Sequence, residues 1–398
     1  MDIRKFVSKA GRVTFRDFME HALYCPYDGY YGVGKVKIGG PNMDFVTHPV
    51  STSPFFGRGI VRQINQMWIA LGRPAKFDLV EIGGGYGVLA RDILAESKKL
   101  YPKLFSSIKY LMIEISPALI KKQKRQLAHF KDDILPARGG VPACHRYAQA
   151  LAGRSSSVRL GSRKSRQVRQ GKRLFRDGSK IEYSQGSALD FDRPINGVII
   201  SNELLDSMPV HRLIFKGGKI HEIYVAYKDG HFVEELDELS NNDLLEYFTS
   251  LGMKLLSGQH LCINLDALRF LEKAAQNLRR GYIISIDYGD LAEILFGDDL
   301  SYVRVGKERQ VGSYPYREVS EADITSDVDF TSLRRHGRGL GLTEILYLAE
   351  HEYFKYWLGD DLDKSQGVER AFEHFIGSNH KVLIHAKNVP IFKLKKLD

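Results

Sequence analysis

Short apolar runs that alternate with amphipathic segments dominate much of this chain. Four runs have the length of a buried strand and cover residues 77–82, 110–115, 197–202 and 281–287. Segments with helical spacing follow the first two runs, the second of them starting at Pro117, and another precedes the fourth run. Strands that alternate with helices in this way predict a parallel sheet in an α/β fold.

The first 70 residues predict helices instead of a sheet. Thr14 stands in an N-cap context, apolar residues follow it at helical spacing, and Pro26 ends this helix. Residues 55–69 predict a second amphipathic helix, and a glycine-rich connection at 32–40 lies between the two. We therefore expect an N-terminal helical cap region over residues 1–70.

The pattern changes again between the third and fourth apolar runs. Short β-rich segments are separated by Gly217-Gly218 and Asp229-Gly230, pairs that are typical of tight hairpin turns. A helical stretch is predicted to follow at 241–256. We expect a β-hairpin and helical insertion over 212–280, within a core formed by residues 71–211 and 281–398.

The positive charge of the chain is concentrated in one stretch. The whole sequence has 58 Lys and Arg against 48 Asp and Glu, a formal net charge of +10. Nine of these basic residues and no acid lie in residues 154–176, so the remainder of the chain is nearly neutral. The stretch is either a clamp for RNA or another polyanion, or a solvated insertion without a partner. We expect residues 139–180 to form a disordered, basic insertion.

Several classes of protein are excluded. An apolar run of about 18 residues, which a membrane-spanning helix requires, does not occur, and the first residues do not resemble a secretory signal. Cys25, Cys144 and Cys262 are too far apart for a zinc ribbon or a disulfide framework, and three scattered thiols fit a reducing compartment. We expect no metal at the functional site.

A glycine-rich loop follows the first predicted strand. Glu81 precedes Gly83, Gly85 and Gly87, and Glu114 lies at the end of the second predicted strand. Glycines at such a turn allow the backbone to approach a ligand, and a carboxylate at the next strand end can accept hydrogen bonds from two ribose hydroxyls. The spacing differs from the dinucleotide and P-loop patterns. It predicts a cofactor that contains a nucleoside.

Polar side chains also follow the third predicted strand. Asn202 could bind a substrate nitrogen, and the carboxylates of Glu203 and Asp206 could pair with a guanidinium or accept its proton. Alternatively, Asn202 and Asp206 cap a following helix that Pro209 ends.

The chain resembles the MidA family of methyltransferases, which includes a mitochondrial complex I assembly factor that methylates an arginine. The residues that carry the resemblance are Thr14-Phe15, Phe18-Met19, Leu23-Tyr24, Pro26, Gly29-Tyr30-Tyr31, Asp44-Phe45-Val-Thr47-x-Pro49, Ser53-x-x-Phe56-Gly57, Val80-Glu-Ile-Gly-x-Gly-x-Gly87, Glu114-Ile-Ser-Pro117, Asn202-Glu203-Leu-Leu-Asp206-x-x-Pro209-Val-His211, Ile286-Asp287-Tyr288-Gly289 and Ala322-Asp323-Ile-Thr325-x-x-Val328-Asp329-Phe330. Residues 139–186 have no recognisable counterpart in the family.

The resemblance implies a Rossmann-like class I fold and transfer of a methyl group from S-adenosyl-L-methionine to an arginine nitrogen of a partner protein, such as a respiratory-complex or other assembly subunit. It implies cofactor-binding roles for Thr47, Glu81, Gly83, Gly85, Gly87 and Glu114. It also places Asn202, Glu203 and Asp206 at the methyl group, where Glu203 would orient the guanidinium.

Two other functions are consistent with the sequence. One is an RNA or DNA methyltransferase recruited by the basic stretch, although many such enzymes carry N/D-P-P-Y/F where this chain has Asn202-Glu-Leu-Leu. The other is a non-catalytic assembly factor that retains the fold. Only ten residues precede the region of resemblance, which favours a bacterial cytoplasmic protein, or a mitochondrial matrix protein if the source is eukaryotic. The sequence specifies neither the oligomeric state nor the number of methyl groups transferred.

Overall fold

The computed structural model describes residues 1–39, 43–133, 180–297, 302–307, 310–362 and 379–389. The helices in these ranges are α1 (Ile3–Ala10), α2 (Phe15–Tyr24), α3 (His48–Ser51), α4 (Phe55–Ala70), α5 (Val88–Leu100), α6 (Pro102–Ser107), α7 (Pro117–Gln126), α8 (Asn242–Leu251), α9 (Leu265–Asn277), α10 (Ala292–Gly297), α11 (Phe330–Gly339) and α12 (Glu350–Leu362). The strands are β1 (Arg12–Thr14), β2 (Phe77–Ile82), β3 (Ile108–Glu114), β4 (Ile181–Gln185), β5 (Ile195–Asn202), β6 (His211–Lys216), β7 (Lys219–Lys228), β8 (His231–Asp237), β9 (His260–Ile263), β10 (Leu278–Asp290), β11 (Val303–Lys307), β12 (Gln310–Gly312), β13 (Asp323–Ser326), β14 (Val328–Asp329), β15 (Thr343–Ala349) and β16 (His380–Lys387).

The central sheet confirms the predicted α/β fold. Its strand order is β15-β16-β10-β5-β2-β3-β4, with β14 paired to β10. The strands from β10 to β4 run parallel, whereas β16 is antiparallel to both β10 and β15. From β2 the chain moves outward to β3 and β4, and it then returns to the other side of β2 to form β5. Ligands of open α/β sheets bind at such a reversal of strand order, beyond the carboxyl ends of the strands.

Helices cover both faces of this sheet. On one face α4, α5 and α12 pack together over apolar side chains that include Phe56, Ile93 and Tyr353. On the other face α9 and α11 enclose a second core that includes Phe270 and Phe330. Strands buried on both faces must be almost entirely apolar, which is why their sequences read as continuous runs. None of the described helices has both the length and the apolar character needed to cross a membrane.

Two glycines allow the centre of this sheet to form. Gly281 of β10 is paired with Gly197 of β5, which is paired with Asp78 of β2. A Cβ atom on Gly281 would lie 1.8 Å from the Gly197 carbonyl oxygen, and one on Gly197 would lie 2.0 Å from the Asp78 oxygen. Both have a positive φ, 144° and 153° respectively. Because the obstructing atoms belong to the backbone, they cannot move aside without disturbing the strand pairing.

We expect Gly281→Ala to lower the free energy of unfolding by about 2–4 kcal/mol, because the added methyl group forces two central strands apart. Urea unfolding monitored by circular dichroism measures this change. Gly339→Ala is the control, since a Cβ atom on Gly339 of α11 meets no atom within 4 Å. Equal stability of the two variants would contradict the explanation.

A second, antiparallel sheet has the order β1-β7-β6-β9, with β8 paired to β7. Its turns confirm the two predicted hairpins, because Gly217, Gly218, Asp229 and Gly230 all have the positive φ that tight hairpin turns require. Strand β1 joins this sheet and α2 packs against β6 and β7. The N-terminal region and the segment after β5 therefore share one apolar core, which includes Phe18 and Val225.

Several elements differ from the prediction. Helix α1 was not predicted, and the helix predicted over 241–256 ends at Leu251, followed by Gly252 in the left-handed conformation. Within residues 139–186, which have no recognisable family counterpart, residues 181–185 form β4 in parallel pairing with β3. A short helix that was not predicted, α6, lies between α5 and β3 and lengthens the segment that separates Glu81 from Glu114. The basic stretch at 154–176 lies outside the described residues, so its predicted disorder and partners stay untested.

Candidate functional site

A cavity of about 820 Å³ opens at the carboxyl ends of β2, β3 and β5. The loops after these strands line one side, and residues 186–189, which follow β4, line another. Side chains from the N-terminal region, including Tyr31, Ile38 and Thr47, form the opposite wall. The cavity lies at the reversal of strand order, where an α/β sheet of this type binds its ligand.

The glycine-rich loop after β2 forms part of the cavity wall. Gly83 and Gly85 line the cavity and have φ values of 71° and 51°. A Cβ atom on Gly83 would lie 2.7 Å from Cδ1 of Leu204, so a side chain here would push into the wall of the cavity. The loop therefore provides a cradle in which the backbone itself can approach a ligand.

Gly87 has a different position from the other two glycines. It is the N-cap of α5 in the left-handed conformation, and it is not among the residues that line the cavity. A Cβ atom there would lie 3.2 Å from Cα of Gln123. The structure thus gives Gly87 a packing position between α5 and α7, which holds the loop in place.

Glu114 ends β3 with both carboxylate oxygens facing hydrogen-bond donors. Its Oε1 accepts the Ser116 amide hydrogen at 3.0 Å and its Oε2 accepts from Nε2 of Gln123 at 3.2 Å. Burial raises the pKa of Glu114 to about 7. Each carboxylate oxygen has two lone pairs, so the side chain still has the capacity to accept two hydroxyl groups.

Glu81, at the end of β2, lies deeper in the same wall. Its Oε2 accepts the hydroxyl hydrogen of Tyr110 at 2.8 Å, and burial raises its pKa to about 7. Thr47 is the N-cap of α3, but its side chain makes no capping hydrogen bond. Both residues line the cavity. The structure therefore brings five of the six predicted cofactor residues to one cavity, with Gly87 behind them.

The loop after β5 holds Glu203 in a constrained position. Glu203 has a φ of 47°, which is uncommon for a residue other than glycine. Its Oε1 accepts the amide hydrogen of His48 at 3.2 Å and a hydrogen from Nδ2 of Asn202 at 3.2 Å. Burial raises the pKa of Glu203 to about 8, although the nearby His48 opposes this shift. The constrained backbone directs a carboxylate into the cavity.

Asn202 also lines this end of the cavity. Its Oδ1 is buried, and among the described residues it has no hydrogen-bond partner. A buried acceptor without a partner is costly, so this atom is suited to receive a hydrogen bond from a ligand. The amide and the neighbouring Glu203 carboxylate are therefore two adjacent acceptors.

The alternative interpretation of Asn202 and Asp206 as helix caps is wrong. Asn202 belongs to β5, and residues 203–210 form turns without a helix. Their backbone amides are instead held by Asp287 of β10, whose Oδ2 accepts from Leu204, Leu205 and Asp206 at 3.0, 2.7 and 3.4 Å. We did not predict a site role for Asp287. Its position at the end of the fourth apolar run is the sequence signal that could have identified it.

The end of the cavity near Glu203 is rich in carboxylates. Asp206 and Asp323 line it together with Glu203, and burial raises the pKa of each of these two aspartates to about 7. Arg304, the nearby guanidinium in the lining, is held by Asp327 at 2.8 Å. No site role was predicted from the sequence for Asp323 or Arg304. Both lie on the small sheet of β11, β12 and β13, which is far from β5 in the chain. This chamber is suited to a cationic group.

Comparison with known proteins agrees with this geometry. The model of a protein family described as "Putative S-adenosyl-L-methionine-dependent methyltransferase" matches residues 59–347. The chain is 26% identical over 394 residues to a Drosophila melanogaster protein named "Protein arginine methyltransferase NDUFAF7 homolog, mitochondrial", covering 96% of this chain and 78% of that protein. It is 26% identical over 400 residues to the corresponding Xenopus laevis protein, with the same two coverages.

Solved structures share the fold. A crystal structure from Burkholderia thailandensis with bound S-adenosyl-homocysteine has a TM-score of 0.77 and 21% sequence identity, and the comparison covers 98% of this chain and 91% of that one. A second crystal structure from the same organism, described as native, has a TM-score of 0.75 and 19% identity, and the comparison covers 98% of this chain and 92% of that one. These similarities confirm the predicted Rossmann-like class I architecture.

Proposed function

Because the chain belongs to a family of S-adenosyl-L-methionine-dependent methyltransferases, we propose that it methylates an arginine nitrogen of a partner protein. The cofactor is S-adenosyl-L-methionine, which supplies an electrophilic methyl group on a sulfonium. The proposal about the acceptor is supported by the chamber of three carboxylates, Glu203, Asp206 and Asp323, because carboxylates bind a guanidinium through strong, bidentate, charge-assisted hydrogen bonds. The names of the Drosophila and Xenopus relatives point to the same acceptor.

The residues at the end of the cavity formed by the glycine-rich loop and Glu114 fit the cofactor. Gly83 and Gly85 form a cradle that a side chain would fill, and Glu114 has free acceptor capacity for two ribose hydroxyls. Glu81 and Thr47 complete the wall beside them. Residues 186–189 are candidates to contact the adenine of the cofactor. We assign these positions to cofactor binding.

The residues at the end of the cavity near Glu203 would bind the acceptor and make its reacting nitrogen nucleophilic. Arginine is protonated at neutral pH, so the reacting nitrogen is a poor nucleophile until its charge is drawn elsewhere. Glu203 would hold the guanidinium by charge-assisted hydrogen bonds and accept the proton released when the nitrogen is methylated. Asn202 would orient a second N–H group through its unpartnered Oδ1. Asp206 would add negative charge, and Asp287 would position the loop.

Binding of S-adenosyl-L-methionine is expected to strengthen with pH. Glu114 and Glu81 both have a pKa of about 7, and only the ionised carboxylates attract a cation and accept hydroxyl hydrogens at full strength. Between pH 6 and pH 8 the ionised fraction of such a group rises about tenfold, so we expect affinity to rise by up to about tenfold for each carboxylate that contributes. Titration calorimetry at pH 6, 7 and 8 measures this. An affinity independent of pH would show that neither carboxylate contributes.

The acceptor can be identified directly. Incubation of the protein with labelled S-adenosyl-L-methionine and a cell extract, followed by acid hydrolysis of the labelled product, is expected to yield methylarginine. Label in RNA or DNA would instead support the nucleic-acid methyltransferase, and binding of the cofactor without transfer would support the non-catalytic assembly factor. Label on a different amino acid would refute the arginine proposal. The labelled protein would also indicate whether the partner is a respiratory-complex or other assembly subunit.

The cellular compartment stays a prediction. The curated relatives named above are mitochondrial by name, which agrees with the mitochondrial matrix if the source is eukaryotic. We propose the cytoplasm if the source is bacterial. Fractionation of the source cells followed by immunoblotting tests whichever of the two applies.

A further inference from the structure

A buried cluster of three side chains lies directly behind Glu203. His48 is the first residue of α3, Glu350 is the first residue of α12, and His380 is the first residue of β16. The side chains of Glu350 and His380 are 0% exposed, whereas that of His48 is 12% exposed. Nδ1 of His48 lies 2.5 Å from Oε2 of Glu350. The two therefore form a short, charge-assisted hydrogen bond.

His380 lies between two carboxylates. Its Nε2 is 3.9 Å from Oε1 of Glu203, and its Nδ1 is 3.9 Å from Oε2 of Glu350. Neither ring nitrogen has a hydrogen-bond partner among the described residues. The ring is held between Tyr288, at 3.6 Å between ring centroids, and His48, at 4.1 Å. Two unsatisfied buried nitrogens destabilise the fold, so their retention calls for a functional reason.

The surroundings keep this imidazole neutral. Burial, together with the positive charges of His48, Arg304 and Lys381, lowers the pKa of His380 to about 2. A neutral imidazole has one donor and one acceptor nitrogen. Such a ring can accept a proton on one side while it donates a proton on the other, without becoming an imidazolium.

We propose that His380 is a proton-transfer residue that connects Glu203 in the cavity to the Glu350–His48 pair. This inference rests on the proposed function, because each methylation of a guanidinium must release one proton. The carbon–sulfur bond breaks with its electron pair staying on sulfur, the nitrogen pair forms the new carbon–nitrogen bond, and the nitrogen loses a proton to Glu203. Glu203 then passes a proton to Nε2 of His380 as the proton on Nδ1 moves to Glu350. His48 releases a proton from its partly exposed ring to solvent and restores the pair, and tautomerisation of His380 returns its proton from Nε2 to Nδ1 before the next turnover.

The two separations of 3.9 Å must shorten by about 1 Å to become hydrogen bonds. Hydrogen bonds of this kind are often long in an enzyme without substrate and tighten when the substrate binds. A cationic acceptor held by Glu203 would draw that carboxylate and its loop into position. We therefore expect both contacts of His380 to become hydrogen bonds when the substrate is bound.

The same three side chains are near enough to one another to suggest a metal site. The contact between Nδ1 of His48 and Oε2 of Glu350 is 2.5 Å. Ligand atoms of a tetrahedral zinc ion are separated by about 3.3 Å, as its bond lengths require. The shorter contact fits a proton between the two atoms. A metal dication would also repel the guanidinium that Glu203 is proposed to hold.

The test compares His380→Gln with the wild type in rapid-quench experiments, using as acceptor the protein that the wild type labels. In the variant Glu203 can still accept one proton, so we expect a first turnover within about threefold of the wild-type rate. Later turnovers should be slower by at least about tenfold, because Glu203 keeps its proton. Between pH 7 and pH 9 the slow phase of the variant should accelerate more steeply than wild-type turnover, because in the variant the proton must leave Glu203 directly to solvent base.

His385→Gln is the matched control. His385 lies on the same strand, is also 0% exposed and also has two unpartnered ring nitrogens among the described residues, but it neighbours Glu344 instead of Glu203. We expect it to show no separate slow phase. Equal losses in the first and later turnovers of His380→Gln would indicate a structural role only, and unchanged kinetics or a stoichiometric metal ion measured by mass spectrometry would also overturn the inference. If the wild type labels no acceptor, the proposed function itself fails and this inference fails with it.

Discussion

Replacement of Glu203 by Gln is expected to reduce the rate of methyl transfer by a factor on the order of 10²–10⁴. The substitution keeps the size and the hydrogen-bonding shape of the side chain but removes its charge. Without the charge, the guanidinium is no longer drawn toward one side, and the released proton has no acceptor at the reacting nitrogen. Transfer of labelled methyl groups under saturating cofactor measures the loss.

The same variant separates chemistry from binding. Glu203 lies beyond the glycine loop and Glu114, so the dissociation constant of S-adenosyl-L-methionine should change by less than about threefold. In the wild type, kcat/KM should rise toward pH 8, because the pKa of Glu203 is about 8 and its ionised form is required. Glu203→Gln should lose this dependence. Glu246→Gln, on the exposed side of α8, serves as the control. Full activity of Glu203→Gln would remove the residue from the mechanism.

Replacement of Glu114 by Gln is expected to weaken cofactor binding by about 10- to 100-fold. Hydrogen bonds to a charged group contribute roughly 1.5–3 kcal/mol, and the substitution removes that charge at the proposed ribose contact. It also places an NH₂ group against one of two donors, the Ser116 amide and Nε2 of Gln123. Titration calorimetry with S-adenosyl-L-methionine measures the change.

A control variant and the pH dependence of binding test whether the effect of Glu114→Gln is specific to the cofactor site. Glu182→Gln is the control on the neighbouring strand β4, where Glu182 pairs with Arg193 and is absent from the cavity lining. It should bind the cofactor as the wild type does. In Glu114→Gln the pH dependence of binding should also become weaker, since one of the two carboxylates with a pKa of about 7 is lost. Unchanged affinity in Glu114→Gln would place the ribose elsewhere.

Much of the fold and half of the site were accessible from local patterns. The strand from 77 to 82 is found where predicted, because burial on both faces leaves a continuous apolar run. The hairpin turns at 217–218 and 229–230 were equally clear, since residues in those conformations come from a small set. Strand β4 was missed because the basic stretch separates it from its partner β3, and no short-range signal crosses such a gap.

The two ends of the cavity differ in how far apart their residues lie in the sequence. Glu81, the glycines and Glu114 occupy strand ends that follow one another in the chain, so a sequence pattern can contain most of them. The surroundings of Glu203 come from α3, β10, β13 and α12, which are far apart in sequence. Sequence spacing carries no information about which of these segments will meet.

The sequence by itself determined the class of fold and a site for a nucleoside-containing cofactor, because apolar periodicity and a glycine-rich turn are properties of neighbouring residues. The family and the identity of the cofactor came from its resemblance to known methyltransferases. The sequence also showed that most of the net positive charge lies in residues 154–176. Only the tertiary structure decided that Asp287 holds the loop after β5 and that His380 lies between Glu203 and Glu350. Those contacts depend on how the sheet order brings distant strands together, and the burial that shifts the pKa values arises only once the chain has closed around them.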